Sequence, residues 1–252
     1  PTKTPLDSYS CRHGLGYTVV EGKKDGVTAR QELFVPKGDA CELDRVTVCN
    51  ESAAVKELDL FSYVEFCLWD AVDDSSNFQR NYSTGEVEVE GSVIYHKTEY
   101  RERRNHYAVF WANCPVDSFD TTRDAFCGVY GGPADPQAVR AGHCSGSIAH
   151  GWAPVGALHI HLSLAPGESR SILFGLGYIE NPQQEKFIAP GVINKTRAHA
   201  MMARYATDAQ IDAARIALRT HWEELLSTYH LESGEEKLNR MVNIWHQYQC
   251  MV

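Results

Sequence analysis

The sequence lacks several features that would each assign the chain to a class of protein. It has no excess of positive charge, because 24 Lys and Arg oppose 33 Asp and Glu for a net charge of −9. This acidic balance argues against nucleic acid or an anionic membrane as a partner. The sequence also lacks an apolar run of transmembrane length and the apolar segment of a signal peptide.

Closely spaced cysteines are absent as well. The chain has eight cysteines, but no two of them follow the CxxC spacing, and they are too dilute for a chain of this length to need disulfides. We therefore predict reduced, mostly buried thiols in a cytoplasmic protein. The 252 residues, 43% of them hydrophobic, suffice for one large all-β domain or two smaller domains.

Alternating apolar residues indicate β-strands up to about residue 179. Lys23-Lys24-Asp25-Gly26 separates two such segments and is typical of a hairpin turn. The stretch Gly131–Gly151, rich in Gly, Pro, Ala and Ser, predicts a long loop. Many strands without intervening helices favour a β-sandwich. The predicted strands are Tyr17–Val20, Val27–Val35, Leu43–Cys49, Leu58–Trp69, Glu86–Glu90, Ser92–His96, Tyr107–Ala112, Ala125–Tyr130, Leu158–Leu164 and Ser171–Ile179.

The segment Leu58–Asn81 carries the strongest single signal. Its first half is apolar on both registers, which predicts a strand that is covered on both faces and lies centrally in a large β layer. It continues into the acidic stretch Asp70–Ser76 and ends on Asn77–Asn81, which holds an aromatic ring, amides and a guanidinium. A polar loop attached to a rigid strand is a good place for a binding site; the alternative is an ordinary surface loop.

After Asn181-Pro182 the apolar residues recur with the 3.6-residue period of helices. Lys195–Tyr205 predicts a short helix, and two capping boxes, which begin at Thr207 and Ser233, predict the starts of two more. The last stripe runs to the end of the chain without a helix-stop signal, so we expect a piece of a larger enzyme. We also expect an uncovered apolar surface centred on Leu238, Met241, Val242 and Trp245.

Two histidines on one strand are a candidate metal site. His159 and His161 share a face, so both imidazoles could bind one ion, as in a metal-dependent β enzyme. A third ligand would have to come from His143 or His150 in the long loop. This spacing is a weak signal, and we predict no metal.

Other charged groups favour structural roles. Asp73, Asp74 and Glu65 could suggest a catalytic carboxylate pair, but neighbouring residues on one loop lack the facing arrangement that an acid and a base require. The segment Tyr100–His106 carries charges of both signs and predicts a solvated turn between strands.

Five blocks of sequence resemble one enzyme family. They are CRHGLGYT (Cys11–Thr18), LFSYVEFCLWDAVDD (Leu60–Asp74), NFQRN (Asn77–Asn81), STGEVEVEGSVIYHKTEYRERRNHYAVF (Ser83–Phe110) and EKLNRMVNIWHQYQCMV (Glu236–Val252). Together they are similar to the amino-terminal part of cellobiose phosphorylases, in the inverting glycoside phosphorylase family that includes the chitobiose and cellodextrin enzymes. The likeness covers nearly the whole chain, and Asn77–Asn81 points to the cellobiose branch.

The resemblance implies a large antiparallel β-sandwich and then linker helices, with the catalytic helical barrel beyond the end of this chain. The implied reaction converts cellobiose and inorganic phosphate, the co-substrate, to α-glucose 1-phosphate and glucose with inversion and without a cofactor. The catalytic acid and the phosphate ligands would lie in the barrel, so no catalytic residue is expected here. Gln79 and Arg80 match family positions that hydrogen-bond sugar hydroxyls in the active site of the other subunit of a homodimer.

We therefore predict a mainly β chain with a sandwich over 1–181, which lacks its first strands, and a helical linker over 182–252. The expected partners are cellobiose or a related disaccharide, phosphate and a second copy of the chain. Two alternatives stay open. One is a carbohydrate-binding or interaction sandwich without chemistry of its own, and the other is a related cellodextrin or other disaccharide phosphorylase.

Overall fold

The computed structural model describes residues 4–66, 85–97, 105–151 and 153–250. The strands are β1 (Ser8–Gly14), β2 (Tyr17–Lys24), β3 (Val27–Phe34), β4 (Cys41–Asn50), β5 (Lys56–Glu65), β6 (Gly85–Glu90), β7 (Val93–His96), β8 (His106–Ala112), β9 (Ser118–Thr122), β10 (His150–Gly151), β11 (Pro154–Leu164), β12 (Ser169–Glu180), β13 (Phe187–Ala189) and β14 (Val192–Ile193). The α-helices are α1 (Arg123–Cys127), α2 (Gln137–Ala141), α3 (Thr196–Ala203), α4 (Asp208–Leu226), α5 (Glu236–Arg240) and α6 (Gln247–Gln249). Gln183–Glu185 is a 3₁₀ turn, and Met241–His246 is a π-helical segment between α5 and α6.

Two antiparallel sheets form the main body of the molecule. Within the described ranges, the larger sheet has nine strands in the order β1-β2-β3-β4-β12-β8-β7-β6-β10, and the smaller has three in the order β5-β11-β9. A two-stranded ribbon, β13-β14, lies between the sandwich strands and the helices in sequence. The chain is thus mainly β, with a large antiparallel sheet followed by helices, and the predicted fold class is confirmed.

Strand β8 shows why the large sheet is covered on both faces. All seven of its residues are buried. Tyr107, Val109 and Trp111 point into one apolar cluster, while Ala108 and Phe110 point into another on the opposite face. Because successive side chains of a strand point to opposite sides, a strand that is apolar on both registers needs a covering layer on each side.

The two covering layers are of different kinds. The small sheet covers one face and packs Leu158, Ile160 and Leu162 of β11 into the core between the sheets. The helices cover the other face, where Met201 of α3 and Ile211 of α4 join the cluster around Trp111. The described molecule therefore has three layers, and α3 and the first half of α4 share a core with the sheet. The predicted boundary near residue 181 stays a prediction.

Strand β5 is covered on both faces, as its pattern predicts, but it is not central. Leu58 and Leu60 pack into the core between the sheets, whereas Phe61 and Tyr63 pack against Phe126 on the outer side. Among the described residues, β5 pairs only with β11 and forms the edge of the three-stranded sheet. The expectation of a central strand was wrong because α1 and α2, rather than a further strand layer, cover its outer face.

Two local predictions from sequence are confirmed. Asp25 and Gly26 join β2 to β3 with φ angles of 50° and 75°, the left-handed pair that a tight antiparallel hairpin requires. At the start of α4, Gln210 N donates to Thr207 Oγ1 at 3.4 Å and Thr207 N donates to Gln210 Oε1 at 3.0 Å. This reciprocal pair is the predicted capping box.

Two other local predictions were wrong. Part of the predicted strand Ala125–Tyr130 is helix α1, because Phe126 and Cys127 fill the outer cluster from a single helical turn. The predicted capping box at Ser233 does not form. The N-cap is Glu235, and the Ser233 hydroxyl instead donates to Asn239 Oδ1 at 2.7 Å.

The last helical segments expose apolar side chains, as predicted. Leu238, Met241 and Trp245 are each about half exposed, at 47%, 48% and 54%, while Val242 is partly buried. Such a contiguous patch is typical of a surface that meets another part of a protein. Among the described residues, no helix is both long and apolar enough to cross a membrane.

Gly175 provides a test of the packing around β8. A Cβ atom at this position would lie 2.2 Å from the Trp111 ring, because the indole lies over the glycine across the β8–β12 pair. We expect Gly175→Ala to lower the free energy of unfolding by about 1–3 kcal/mol or more, as overpacking does. Gly132→Ala is the matched control, since a Cβ there meets nothing within 4 Å, and it should change stability by less than about 1 kcal/mol. Urea denaturation measures both variants, and equal effects would contradict the packing described for Trp111.

Candidate functional site at the end of strand β5

The predicted sugar-contacting residues Gln79 and Arg80 lie outside the described residues, and so do Asp73 and Asp74. Their role stays a prediction. The structure does describe both ends of the segment that carries them, since the chain leaves β5 at Phe66 and enters β6 at Gly85. The residues around these two ends define the candidate site.

The two ends come together at one end of the sandwich. Phe66 is buried, and its ring centroid lies 4.9 Å from that of His96, the last residue of β7. His96 is in turn opposite Val87 in the β6–β7 pair. At the start of β6, Gly85 and Glu86 pair with the short strand β10. The segment between β5 and β6 is therefore anchored at both ends in regular sheet structure.

Buried polar groups surround these anchors. His96, His106, Asn181 and Lys186 are all buried, which is unusual for such residue types. Asn181 N donates to Asn105 O at 3.0 Å, and Asn105 Nδ2 donates to Asn181 O at 2.7 Å. These two hydrogen bonds join the residue just before β8 to the residue just after β12.

His106 corrects the prediction of a solvated turn over Tyr100–His106. It is the first residue of β8 and is almost fully buried, with its ring 5.7 Å from that of Tyr178. The sequence pattern was misleading because the charged residues before His106 are typical of a solvent-facing turn. His106 itself alternates with Ala108 and Phe110 and therefore lies on the face of β8 that these two residues bury. Residues 98–104 lie outside the described residues.

Burial changes the protonation of His96. The pKa of His96 is lowered from 6.5 to about 4, mainly by loss of solvent and to a smaller extent by the nearby charges of His106 and Lys186, while a hydrogen bond with the Glu86 backbone acts in the opposite direction. His96 is therefore neutral near pH 7. A neutral imidazole beside the Phe66 ring gives the anchor a close-packed contact without an uncompensated buried charge.

A cavity of about 490 Å³ opens beside Phe66. Its lining is mostly apolar and includes Cys41, Phe66 and Leu176, together with Glu65 and the Tyr178 side chain. Glu65 accepts a hydrogen bond from Tyr63 at 2.7 Å and lies 3.5 Å from Arg123 Nε. The carboxylate of Glu65 thus belongs to a structural network with Tyr63 and Arg123. These contacts fix the end of β5, and none of them provides a facing acid and base.

The two histidines of β11 form hydrogen bonds and ring contacts with neighbouring side chains. His159 is buried and stacks on Phe61 at 4.5 Å, with Ser118 Oγ at 2.9 Å from Nδ1 and Asp59 Oδ1 at 2.9 Å from Nε2. His161 is exposed and lies between Asp59 and Glu57, each at 3.0 Å. Hydrogen bonds to Asp59 and then Glu57 raise the pKa of His161. Across the part of the chain that the structure describes, no three His, Cys, Asp or Glu residues could hold a metal ion.

The cysteines that the structure describes are all free thiols. Cys41, Cys127 and Cys144 are buried, and burial raises the pKa of Cys41 and of Cys144 to about 12 each. The thiols of Cys41 and Cys144 therefore stay protonated and unreactive near neutral pH, which fits a structural role.

Sequence models of known families match two parts of the chain. The supersandwich domain of glycosyl hydrolase 94 matches residues 1–208, and the catalytic domain of the glycosyl hydrolase 94 superfamily matches residues 221–252. The fold and the first match define the class of the chain as a supersandwich domain. The chain belongs to the glycosyl hydrolase 94 family.

Individual relatives agree with this assignment. The chain is 32% identical over 99% of its length to N,N'-diacetylchitobiose phosphorylase of Vibrio proteolyticus, covering 30% of that protein. It is 29% identical over 100% of its length to solabiose phosphorylase of Paenibacillus borealis, covering 31% of that protein. The chain thus spans about a third of the length of these curated relatives.

A solved structure shares the fold. A candidate kojibiose phosphorylase from the human microbiome superposes with a TM-score of 0.54 and 10% identity, over 86% of this chain and 25% of the other. At this identity the likeness concerns the fold alone, and it supports the sandwich followed by helices.

The pKa of His96 leads to a prediction about stability against pH. Because the folded-state pKa lies near 4 and the ordinary value is 6.5, the unfolded chain binds more protons between these values. Stability should therefore fall as pH is lowered from about 6.5 to 4, by on the order of 3 kcal/mol from this group. We expect His96→Gln to flatten the pH dependence of the unfolding free energy in this window, as measured by urea denaturation. Exposed His143→Gln is the control, and equal slopes for the two variants would contradict the burial of His96.

Proposed function

We propose that this chain is the sandwich and connecting part of an inverting disaccharide phosphorylase. The observation that carries the proposal is the supersandwich match over residues 1–208, together with relatives that align over nearly the whole chain and are named phosphorylases. Because the chain covers only about 30% of those relatives, the activity belongs to the complete protein.

The proposed reaction needs one proton and one nucleophile. A phosphate oxygen attacks the anomeric carbon, the glycosidic C–O bond breaks, and a general acid protonates the leaving oxygen. Cellobiose and phosphate thus give α-glucose 1-phosphate and glucose with inversion. An inverting hydrolase also needs a base to activate water, whereas phosphate already carries the required negative charge. The acid and the phosphate ligands would lie in the catalytic domain, which this chain enters only near residue 221.

The contribution of this chain would be contact with the acceptor sugar. Gln79 offers a donor and an acceptor to adjacent hydroxyls, and Arg80 adds a forked set of donors. Neither side chain can act as a catalytic acid at neutral pH, so their role is orientation. The anchors at Phe66 and Gly85 support this proposal, because a sugar-contacting segment needs fixed ends. Following the family resemblance, the site contacted is that of the second subunit of a homodimer.

The substrate within this class is proposed from the motif Asn77–Asn81, which points to cellobiose. A specific observation favours a second candidate, N,N'-diacetylchitobiose, since two of the matched relatives carry that name, at 32% and 30% identity. A panel of cellobiose, cellotriose, solabiose and N,N'-diacetylchitobiose separates these substrates when glucose 1-phosphate, or the corresponding sugar phosphate, is measured with the complete gene product. Release from cellobiose at the highest kcat/KM is the expected result. Preference for another disaccharide would correct the substrate, and the absence of phosphorolysis with all four would overturn the proposal.

The 252-residue chain alone should not release glucose 1-phosphate from cellobiose and phosphate, because its part of the catalytic domain is limited to the residues after 221. A coupled assay on the purified chain, expressed in a host without phosphorylase activity, makes the test. Sustained turnover by the chain would show that the chemistry lies within residues 1–252.

Arg80→Ala in the complete dimer tests the proposed sugar contact. Loss of a charged hydrogen bond costs roughly 1.5–3 kcal/mol, which is about one to two decades in kcat/KM for cellobiose. The KM for phosphate should change little, and so should the melting temperature.

Ile172→Ala is the structural control, because Ile172 is only 1% exposed in the core between the sheets and does not belong to either anchor. We expect it to lower stability by about 2–5 kcal/mol while the folded fraction keeps its kcat. The reverse pattern, in which Arg80→Ala is destabilising but neutral in catalysis, would show that the Arg80 segment is structural.

A further inference from the structure

Helix α4 connects the two parts of the chain that match different domains. The supersandwich match ends at residue 208 and the catalytic match begins at 221, while α4 runs without interruption over Asp208–Leu226. At 1.5 Å per residue, its 19 residues span about 28 Å. The direction and rotation of α4 therefore determine how the residues after 221 are oriented relative to the sheet.

Most of α4 rests on the large sheet, since Ile211, Leu218 and Trp222 all pack in or against the cluster around Trp111. Ile211 is fully buried and Leu218 is 7% exposed in the cluster around Trp111. Further along, Leu225 is exposed. This apolar stripe determines which face of α4 meets the sheet, but its contacts are not directional and leave small rotations of the helix to be fixed by other groups.

A buried charged cluster adds the missing directional contacts. Glu32 of β3 is 6% exposed. Arg45 Nη2 of β4 donates to Glu32 Oε2 at 2.7 Å, and Arg215 Nε of α4 donates to Glu32 Oε1 at 3.3 Å. Arg30 Nη1 lies 3.6 Å from Glu32 Oε2. Burial alone would raise the pKa of Glu32, but the hydrogen bond from Arg45 and the surrounding guanidinium charges lower it, so the carboxylate stays ionised.

The same cluster contacts α4 at a second residue, Asp212. Arg45 Nη1 donates to Asp212 Oδ1 at 2.5 Å, so one guanidinium joins Glu32 of the sheet to Asp212 of the helix. The Arg215 guanidinium also lies over the Tyr17 ring, 3.7 Å from its centroid. Asp212 and Arg215 are three residues apart and share one helical face. Rotation of α4 would break both contacts together.

We propose that Glu32, Arg45 and Arg215, with Tyr17 and Asp212, form a clamp that fixes the rotation of α4 and thereby positions the catalytic domain on the sandwich. Glu32 and Arg215 are positioning residues that act through α4. Replacing a buried ion pair by apolar groups is often neutral for stability, so we assign these ion pairs the role of selecting one geometry of α4. The part of the inference that concerns catalysis rests on the proposed phosphorylase function, whereas the clamp itself concerns only the described residues.

The test uses the complete protein and compares two arginines of one helix. Arg215→Met keeps an aliphatic side chain over Tyr17 but removes the contact with Glu32. Arg219→Met is the matched control, one turn further along, where the arginine is exposed and pairs with Glu223 of the same helix at 2.8 Å. The first readout is hydrogen exchange followed by mass spectrometry, over residues 208–220 and over the buried strands β8 and β12.

We expect Arg215→Met to speed exchange in 208–220 by roughly tenfold, the size of a lost pairwise coupling, without a change in β8 and β12. Arg219→Met should leave exchange in both regions within about twofold of the original protein. Equal exchange in 208–220 for the two variants would overturn the clamp. If Arg215→Met also speeds exchange throughout β8, the same comparison is made with Arg215→Lys. This variant keeps the positive charge and loses only the forked geometry of the guanidinium.

The second readout is phosphorolysis kinetics. Loss of positioning should lower kcat roughly tenfold with little change in KM. The double variant Glu32→Gln, Arg215→Met should have a kcat no lower than that of the slower single variant, because both substitutions remove the same contact. Multiplied effects in the double variant would overturn a shared positioning role. If the unaltered complete protein shows no phosphorolysis, the proposed function fails, and the exchange measurements still confirm or overturn the clamp.

Discussion

The rest of the structure depends on the burial of the nine-stranded sheet on both faces. Strand β8 places Tyr107, Val109 and Trp111 on one face and Ala108 and Phe110 on the other, and each set lies in its own apolar core. Neither face can be left to solvent, since each buried aromatic or aliphatic side chain contributes about 1.5–3 kcal/mol through its removal from water. The small sheet and the helices are therefore both required coverings of one layer.

This constraint also determines where function can lie. The strands of the sandwich are committed to packing, so the candidate site is at an end of the sandwich, where β5 ends and β6 begins. Phe66 on His96 fixes one anchor and the β6–β10 pair fixes the other. On the opposite face, the helices that cover the sheet continue toward the catalytic domain, so the contacts of α4 with Glu32 link the sandwich to the chemistry proposed for the complete enzyme.

Features that depend on local sequence were predictable. Asp25-Gly26 sets its own turn, and Thr207 with Gln210 caps α4 whatever the surroundings. The apolar registers of β5 likewise required two covered faces. These signals rest on backbone conformation and side-chain alternation, which neighbouring residues determine.

Features that depend on tertiary partners were not predictable. The edge position of β5 follows from which strands pair with it, and the burial of His106 follows from its packing beside Tyr178 of β12. The helix at Phe126 forms because its side chain fills a cluster against Tyr63, a residue far away in sequence. The Glu32 cluster joins residues more than 180 positions apart and leaves no pattern in the sequence. The role of Gln79 and Arg80 came from family resemblance alone.

Native-state hydrogen exchange tests the central claim most directly, namely that sheet and helices share one core. If they do, the slowest amides of α3, whose Met201 lies in the cluster around Trp111, should exchange with the same opening free energy as those of β8 and β12, because all are lost together on global unfolding. Exchange of α3 at an opening free energy several kcal/mol lower, with the sheet still protected, would contradict the claim.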